Sequence, residues 1–230
     1  MTMNCEEKAV KVLGIGGSGC NFVESMIDMS LKGVEFIIGD TDSRSLNLKS
    51  CPLKLFLYEK CHKEFGCGGN PEIGFKSTLE NKNIIKAALK DTDILMIVAG
   101  MGGGTGTGGA PVVAQISREI GIWTIAIVTT PFRFEGRRRV RNAEKGILEL
   151  KEVADMTIIV PNQQFLPRFS TFAEVIRGSG EAISAVVRAF ADLLQAPSVW
   201  ILKRQAGNIS ALAVPILCPS QKSLQEAKTS

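Results

Sequence analysis

The chain has 230 residues, 45% of them hydrophobic, and a formal net charge of +4, so it is long enough to bury one good core. The mild charge is spread among acidic residues and does not indicate a nucleic-acid partner. No apolar run reaches the roughly 20 residues of a membrane span, and the N-terminus lacks the basic and apolar blocks of a secretory signal. We therefore expect a cytoplasmic protein with no membrane insertion.

The first predicted strand, Val10–Ile15, leads into a glycine turn at 14–19 and then into a helix from Cys20. A strand, a G-x-G-x-x-G turn and a helix form the phosphate-binding start of dinucleotide-binding units. A second strand, Val34–Ile38, ends at Asp40-Thr41-Asp42, where such a unit carries the carboxylate that binds ribose. Taken alone, the first fifty residues fit a NAD-binding fold as well as any other.

A third predicted strand covers Pro52–Tyr58, and a loop rich in glycine follows at Gly66–Gly74. The Asn-Pro pair in this loop is typical of a turn, and a plain surface loop is one interpretation. An amphipathic helix over Ile84–Lys90 then leads to a buried strand at Asp93–Gly100.

The most informative stretch is Gly102–Gly109, between that strand and a helix predicted from Pro111. Glycine lets backbone N–H groups approach a ligand closely, and a helix N-terminus adds free donors and a positive dipole end. Thr105 and Thr107 add hydroxyl donors. A flexible turn is the alternative, but this many glycines cost backbone entropy without any gain in packing. The stretch therefore predicts a phosphate cradle.

The second half continues the alternation of strands and helices. Predicted strands at Trp123–Thr130 and Met156–Asn162 flank a helix through Ile147, and a long helix covers Thr171–Gln195. Five arginines lie between residues 133 and 141, an unfavourable place near a helix start because of the helix dipole. A solvated basic face and a nearby anion are both open explanations.

The six cysteines are scattered through the chain, so free thiols are expected in a cytoplasmic protein. Cys61, His62 and Cys67 offer three metal ligands with Cys51 as a distant fourth. Their spacing matches no standard zinc pattern, and zinc remains the alternative.

The run Gly102–Gly108 resembles the signature phosphate loop of the tubulin/FtsZ family of GTP-binding, filament-forming proteins, and its flanking residues resemble the bacterial FtsZ branch. The resemblance implies an α/β fold, a Rossmann-like, mostly parallel sheet with helices on both faces. It implies a GTP-binding domain at 8–195, a divergent C-terminal segment and polar tail at 196–230, and a missing second domain. Two glycine turns can converge on one triphosphate, which argues against the dinucleotide fold.

The same resemblance implies a site for GTP or GDP, with Mg²⁺ expected. The residues expected around the phosphates come from the glycine turns and the acidic stretch: Gly16, Gly17, Ser18, Asn21, Asp42, Gly69, Asn70, Gly103, Gly104, Thr105, Gly106 and Thr107. Glu135 is expected to accept hydrogen bonds from the ribose hydroxyls, and Arg139 to lie near the phosphates. Asn162 is expected to reach the nucleoside, and a side chain at Gly104 to block phosphate while leaving the fold intact.

Base recognition is expected to be altered. Glu181 stands where the family has an Asp that reads guanine, and a solvated helix charge is the alternative for it. Ile176 stands where a Phe stacks on the base, although Phe172 lies one turn earlier. Asp40 replaces an Asn of the family's Asn-Thr-Asp loop, which places an anion near the phosphates.

The resemblance ends after the long helix. There the family has an acidic loop that enters the nucleotide pocket of the next filament subunit and helps to position the attacking water. Ile201, Lys203 and Ala206 replace its Asn and both Asp residues, and a lysine cannot accept a proton as a carboxylate does. No catalytic residue is therefore assigned.

The resemblance therefore implies a GTP-binding protein of the division site that joins or regulates filaments of full-length FtsZ or contacts other division proteins. Hydrolysis is expected only in a mixed filament. The alternatives are a self-assembling GTPase and, with less support, an NAD-binding oxidoreductase.

Overall fold

The computed structural model describes residues 9–27, 31, 33–57, 66–168, 171–195 and 209–212. These residues contain a seven-stranded sheet in the order β3-β2-β1-β4-β5-β6-β7, in which all paired strands are parallel. The strands are β1 (Val10–Ile15), β2 (Val34–Asp40), β3 (Leu53–Phe56), β4 (Ile94–Gly100), β5 (Trp123–Thr130), β6 (Met156–Pro161) and β7 (Ile209–Leu212).

Helices cover both faces of the sheet. They are α1 (Gly16–Ile27), α2 (Ser43–Asn47), α3 (Pro71–Glu80), α4 (Lys82–Ala88), α5 (Thr105–Glu119), α6 (Arg137–Val153) and α7 (Phe172–Gln195), with 3-10 turns at Arg133–Glu135 and Asn162–Arg168. Within the described ranges, no helix combines the length and apolarity needed to cross a membrane.

Burial on both faces explains the continuous apolar runs of the strands. Alternate residues of β1 point to opposite sides, so Val12 packs with α1 and α7 in one core and Leu13 packs with α4, α5 and α6 in the other. The predicted α/β fold, a mostly parallel sheet with helices on both faces, is confirmed.

Two helices begin earlier than the sequence predicts: α1 begins at Gly16 rather than Cys20, and α5 begins at Thr105 rather than Pro111. Helix α3 was not predicted, and its first residues, from Pro71, lie inside the predicted loop. Glycine is a poor helix former, but packing overrides that preference. A Cβ built at Gly16 would lie 2.8 Å from the Gly106 nitrogen, so the two helices can meet this closely because residue 16 has no side chain.

The strand order places the site. β1 lies between β2 and β4. The strands after β1 are added first on one side of it (β2, β3) and then on the other (β4 to β7). The connections after β1 and β4 therefore diverge, which leaves a crevice at the carboxyl ends of these two strands. Ligands of open α/β sheets bind at such a switch point.

Some sequence-based predictions fall outside the described residues. Cys61 and His62 lie outside them, as does the segment 196–206 with its replaced acidic positions. Within the described ranges, Cys20, Cys51 and Cys67 are buried free thiols.

Candidate functional site

A cavity of about 220 Å³ lies at the carboxyl ends of β1, β4 and β5. It brings together both predicted glycine turns and the residues predicted after β5 and β6. The lining consists of Gly16, Gly17, Ser18, Gly100, Met101, Gly103, Gly104, Thr105, Gly106, Thr129, Pro131, Glu135, Arg139 and Asn162. Four of these, Gly100, Met101, Thr129 and Pro131, were not selected from the sequence. Their positions could have indicated them, because each lies at the end of β4 or β5 or directly after one of these strands.

The first turns of α1 and α5 both face this cavity. Gly16 and Gly17 begin α1 and Thr105 and Gly106 begin α5, and all four line the cavity. Helix N-termini leave unpaired N–H donors and attract anions through the helix dipole. The arrangement is therefore suited to a phosphate chain.

Two glycines of the central loop differ in what a side chain would meet. A Cβ at Gly103 would have no atom within 4 Å, so it would project into open space, whereas a Cβ at Gly104 would lie 2.5 Å from the Cys67 Cβ. The prediction that a side chain at Gly104 leaves the fold intact is therefore wrong, because it would displace the loop before α3. A substitution at Gly103 should therefore affect ligand binding without disturbing the fold.

Asp40 lies beneath the cradle as a buried carboxyl. Its Oδ1 accepts from the Thr41 N–H at 2.7 Å, and only 6% of the residue is exposed. Burial raises the pKa of the Asp40 carboxyl, while hydrogen bonds from the Thr41 N–H, the Thr105 hydroxyl and the Asp42 N–H act in the opposite direction. The negative charge thus costs stability in the folded state.

This pKa shift gives a prediction for stability. Because the folded pKa of Asp40 is raised, its unfavourable contribution is absent below the unfolded value of about 3.9 and grows as the pH rises towards the folded value. Asp40→Asn keeps an acceptor for the Thr41 N–H, so its stability advantage over the wild type should grow from about pH 4 to pH 8. Urea unfolding across this range tests it, with exposed Asp91→Asn as the control; equal pH profiles for the Asp40 variant and the wild type would contradict it.

Glu135 and Arg139 form an ion pair at the mouth of the cavity. The Arg139 guanidinium donates to Glu135 Oε2 at 2.5 Å, and Glu135 Oε1 accepts from the Phe132 N–H at 2.8 Å. The second interaction fixes the carboxylate to the turn after β5. The Arg139 side chain is 56% exposed, so it is free to turn towards an anion.

Asn162 provides an unused acceptor. Its Oδ1 is buried and has no hydrogen-bond partner among the described residues, although the residue lines the cavity. A buried polar atom without a partner is costly. A ligand that donates a hydrogen bond here would remove that cost.

The remaining predicted residues lie outside the lining. Asp42 caps α2 by accepting from the Arg44 and Ser45 N–H groups, and Asn70 caps α3. Exposed Gly69 has a φ of +75° with open space around it. Thr107 is 2% exposed, and its Oγ1 accepts from the Gly102 N–H at 2.8 Å, which braces the loop from inside.

Two further predicted residues, Asn21 and Glu181, are exposed. Asn21 lies on α1, and its Oδ1 accepts from Lys49 Nζ at 2.6 Å. Glu181 lies on the solvent-facing side of α7. A Cβ at the preceding Gly180 would lie 3.6 Å from Phe22 of α1, so α1 and α7 are adjacent here.

Comparisons with known proteins agree with this geometry. The model of the GTPase domain of the Tubulin/FtsZ family matches residues 9–168. FtsZ of Rickettsia typhi is 38% identical over 193 residues, 83% of this chain and 43% of the relative. FtsZ of Buchnera aphidicola is 41% identical, over 83% of this chain and 50% of the relative. The chain thus spans about half the length of the curated relatives it matches.

Solved structures show the same relationship. An empty FtsZ dimer from M. jannaschii superposes with a TM-score of 0.79 at 33% identity, over 84% of this chain and 57% of that one. CetZ2 from Haloferax volcanii, in a GTPγS-bound protofilament, gives a TM-score of 0.78 at 20% identity over 88% of this chain and 64% of that one, a likeness of fold. The matched family region contains both glycine turns, so the family expected from Gly102–Gly108 is confirmed. The chain belongs to the tubulin/FtsZ family.

Proposed function

We propose that this chain binds GTP and GDP in the cavity between α1 and α5. The observation that carries the proposal is the convergence of two glycine-rich helix starts on a cavity lined by Glu135 and Asn162. Backbone N–H groups of Gly16, Gly17 and Gly103–Gly106 would bind the phosphates. Titration with fluorescent GTP, ATP and NADH in parallel tests it, and binding of GTP alone is expected.

Glu135 and Asn162 are suited to the nucleoside. A carboxylate accepts from two hydroxyl donors, which matches a ribose, and Glu135 already has a fixed orientation through the Phe132 N–H. Binding would release Arg139 from Glu135 and let it turn to the phosphates. The buried Asn162 Oδ1 would gain the donor that it lacks among the described residues.

Glu181 is proposed to read guanine. Guanine presents two neighbouring N–H donors to a carboxylate, and adenine does not present the same pair. We expect Glu181→Gln to lower the preference for GTP over ATP at least about tenfold, with phosphate binding kept, because a hydrogen-bonding reader discriminates strongly. Competition of ATP against fluorescent GTP measures this. Asp192→Asn, on an exposed part of the same helix, is the control, and unchanged selectivity of the Glu181 variant would place base reading elsewhere.

Mg²⁺ is proposed to accompany the nucleotide. It prefers oxygen ligands and is usually held jointly with substrate phosphates. Ser18 and Thr105 line the cavity, and hydroxyl groups suit this chemistry, in which the cation would neutralise phosphate charge.

We further propose that the chain regulates division filaments in the cytoplasm, at the division site, through contact with full-length FtsZ. The cavity-bearing face carries the proposed nucleotide-binding residues, while the segment 196–206 has Ile201, Lys203 and Ala206 at the positions of the family's Asn and two Asp residues. Head-to-tail assembly needs two complementary faces on each subunit. Such a chain would cap a filament, and a full-length neighbour would have to supply the acidic residues for hydrolysis.

The capping proposal predicts no self-assembly and negligible GTPase activity of the pure 230-residue chain. Substoichiometric addition should shorten filaments of full-length FtsZ from the same source, because a capped end accepts no further subunit. Sedimentation and electron microscopy measure both effects. Long filaments of the pure chain would indicate a self-assembling GTPase, and unchanged partner filaments would also rule out capping.

A further inference from the structure

A second concave surface, the α3–α6 groove, lies beside the nucleotide cavity. Its volume is about 480 Å³, compared with about 220 Å³ for the cavity. Residues of α3 form one wall and residues of α6 form the other, while Thr107 and Gly108 of α5 lie between them. The groove is therefore large enough to receive several side chains of a ligand.

Close backbone packing holds the groove in shape. A Cβ at Gly108 would lie 2.0 Å from the Pro71 carbonyl oxygen, which belongs to α3. A Cβ at Gly146 of α6 would lie 2.6 Å from Thr107 Cγ2. Both walls are thus fixed on α5 by contacts that tolerate no added atom, so the groove is preformed.

The walls carry positive charges without partners. Arg138 on α6 and Lys76 on α3 are exposed, line the groove, and form no ion pair with the described residues. Lys145 on α6 lies 3.8 Å from Glu149, and 78% of the Lys145 side chain is exposed. Exposed pairs of this kind contribute little, so all three cations remain available to an anion.

The groove also accounts for part of the arginine run. α6 begins at Arg137, so Arg138 lies in its first turn, where the positive end of the helix dipole adds to the positive charge. Arg139 lines the nucleotide cavity, whereas Arg138 lines the groove. Adjacent arginines therefore face two different surfaces, and an anion in the groove would stabilise the second of them.

Other groups in the lining suit a polypeptide. Phe75 on α3 is 45% exposed and offers an apolar contact within the groove. Asn142, on the opposite wall, is half-buried, and its side-chain amide forms no hydrogen bond with the described residues. An amide both donates and accepts, which matches the N–H and C=O of a peptide unit.

The acidic residues of the groove decide between ligand classes. Glu72 and Glu149 also line it and would repel the uniformly negative backbone of a nucleic acid. A concave surface does not fit a flat membrane. A protein segment can place carboxylates beside the cations and neutral groups beside the two acids, which gives electrostatic complementarity.

We propose that the α3–α6 groove binds an acidic segment of a partner protein. Carboxylates of that segment pair with Arg138 and Lys145, and an apolar side chain packs on Phe75. The proposal goes beyond the GTP site and does not depend on it, because the groove and the nucleotide cavity have separate linings.

The experiment begins with a phage-displayed library of random dodecapeptides, selected on the pure 230-residue chain. The recovered peptides are expected to carry at least two acidic residues and a large apolar one. Their affinity is then measured by fluorescence polarisation of labelled synthetic peptides. Recovery of only neutral or basic peptides, or of none, would overturn the proposal.

Two charge reversals locate the binding. Arg138→Glu should weaken peptide binding at least about tenfold, because a cation that faces carboxylates becomes an anion. Arg137→Glu makes the same change one residue earlier, at an exposed, described position that lines neither the groove nor the cavity, and should weaken it less than about threefold. An acid in the first turn suits the dipole of α6, so both variants should fold, as circular dichroism can check. Equal losses would indicate unspecific charge attraction and overturn the proposal.

A second pair of variants tests the apolar contact. Phe75→Ala should weaken binding at least about fivefold, since aromatic residues anchor interfaces. Leu79→Ala is the matched control, because Leu79 is also 45% exposed on α3 but does not line the groove. Equal affinities of wild type and Phe75→Ala would overturn the groove as the binding site.

Competition separates this site from the nucleotide cavity. Displacement of the peptides by excess GTP would place them in that cavity and overturn the proposal. A poly-dT oligonucleotide that binds more tightly than the peptides, and is weakened by Arg138→Glu, would assign the groove to nucleic acid instead. A chain that binds the peptides but no GTP would leave this proposal standing and overturn the GTP site alone.

Discussion

Gly103→Val is expected to weaken GTP binding at least about hundredfold, equivalent to about 2.7 kcal/mol, with little change in stability. A side chain at this position meets no atom within 4 Å, and it would fill part of a cavity of about 220 Å³. Phosphate would lose its approach to the backbone N–H groups. Fluorescent GTP titration measures the loss, and thermal unfolding checks that the variant folds.

Two comparison variants make this result specific. Gly104→Val should lose binding and also stability, because its Cβ would collide with Cys67 at 2.5 Å. Ala189→Val adds similar bulk on an exposed part of α7 and should leave binding unchanged. If Gly103→Val bound GTP normally, the nucleotide would have to lie outside this cavity.

The largest loss of stability is expected for Gly108→Ala, at about 3 kcal/mol or more, at the upper end of overpacking effects. Gly108 lies inside α5, and a Cβ there would be 2.0 Å from the Pro71 carbonyl oxygen and 2.6 Å from the Phe75 nitrogen. These are backbone atoms of α3, so no side-chain rotation relieves the clash. The two helices would have to separate, which urea unfolding would detect as a lower free energy of unfolding.

The same substitution at Gly180 should increase stability rather than lower it. Gly180 lies inside α7, and the nearest atom to its Cβ would be Phe22 Cδ1 at 3.6 Å, an ordinary contact. Gly180→Ala should therefore stabilise the protein by about 0.5–1 kcal/mol, the helix-propensity difference. If both variants were destabilised alike, close packing of α3 on α5 would not explain the glycine at 108.

The sheet was predictable from the sequence because its strands are buried on both faces. Such burial leaves uninterrupted apolar runs, and β1 and β5 have the bounds predicted for them, Val10–Ile15 and Trp123–Thr130. Helix starts were not predictable in this way. The glycines at the start of α5 indicate a turn when propensity alone is considered, and only their contacts with α1 and α3 show why they are helical.

The cavity was predicted largely through its loops, since glycine turns at strand ends carry a local signal. The buried hydrogen bonds around Asp40 have no such local signal in the sequence. Thr41 and Thr105 are 64 residues apart, and a sequence gives no indication that their hydroxyl groups meet. Glu135 and Arg139 were expected to bind different parts of a ligand, and their mutual ion pair became visible only in the structure.

The position of β1 between β2 and β4 has a consequence for synthesis on the ribosome. The Ala9 N–H bonds to Asp93, 84 residues further along the chain, and β1 pairs with β4 at that distance. Because translation adds about 5–20 residues per second, β4 is synthesised about 4–17 seconds after β1, and during this time one edge of β1 has no partner strand. An apolar strand with a free edge is prone to pair with other chains. Nascent chains should therefore be most dependent on chaperones between the emergence of β1 and that of β4, and the proposed nucleotide cavity is incomplete until α5 follows.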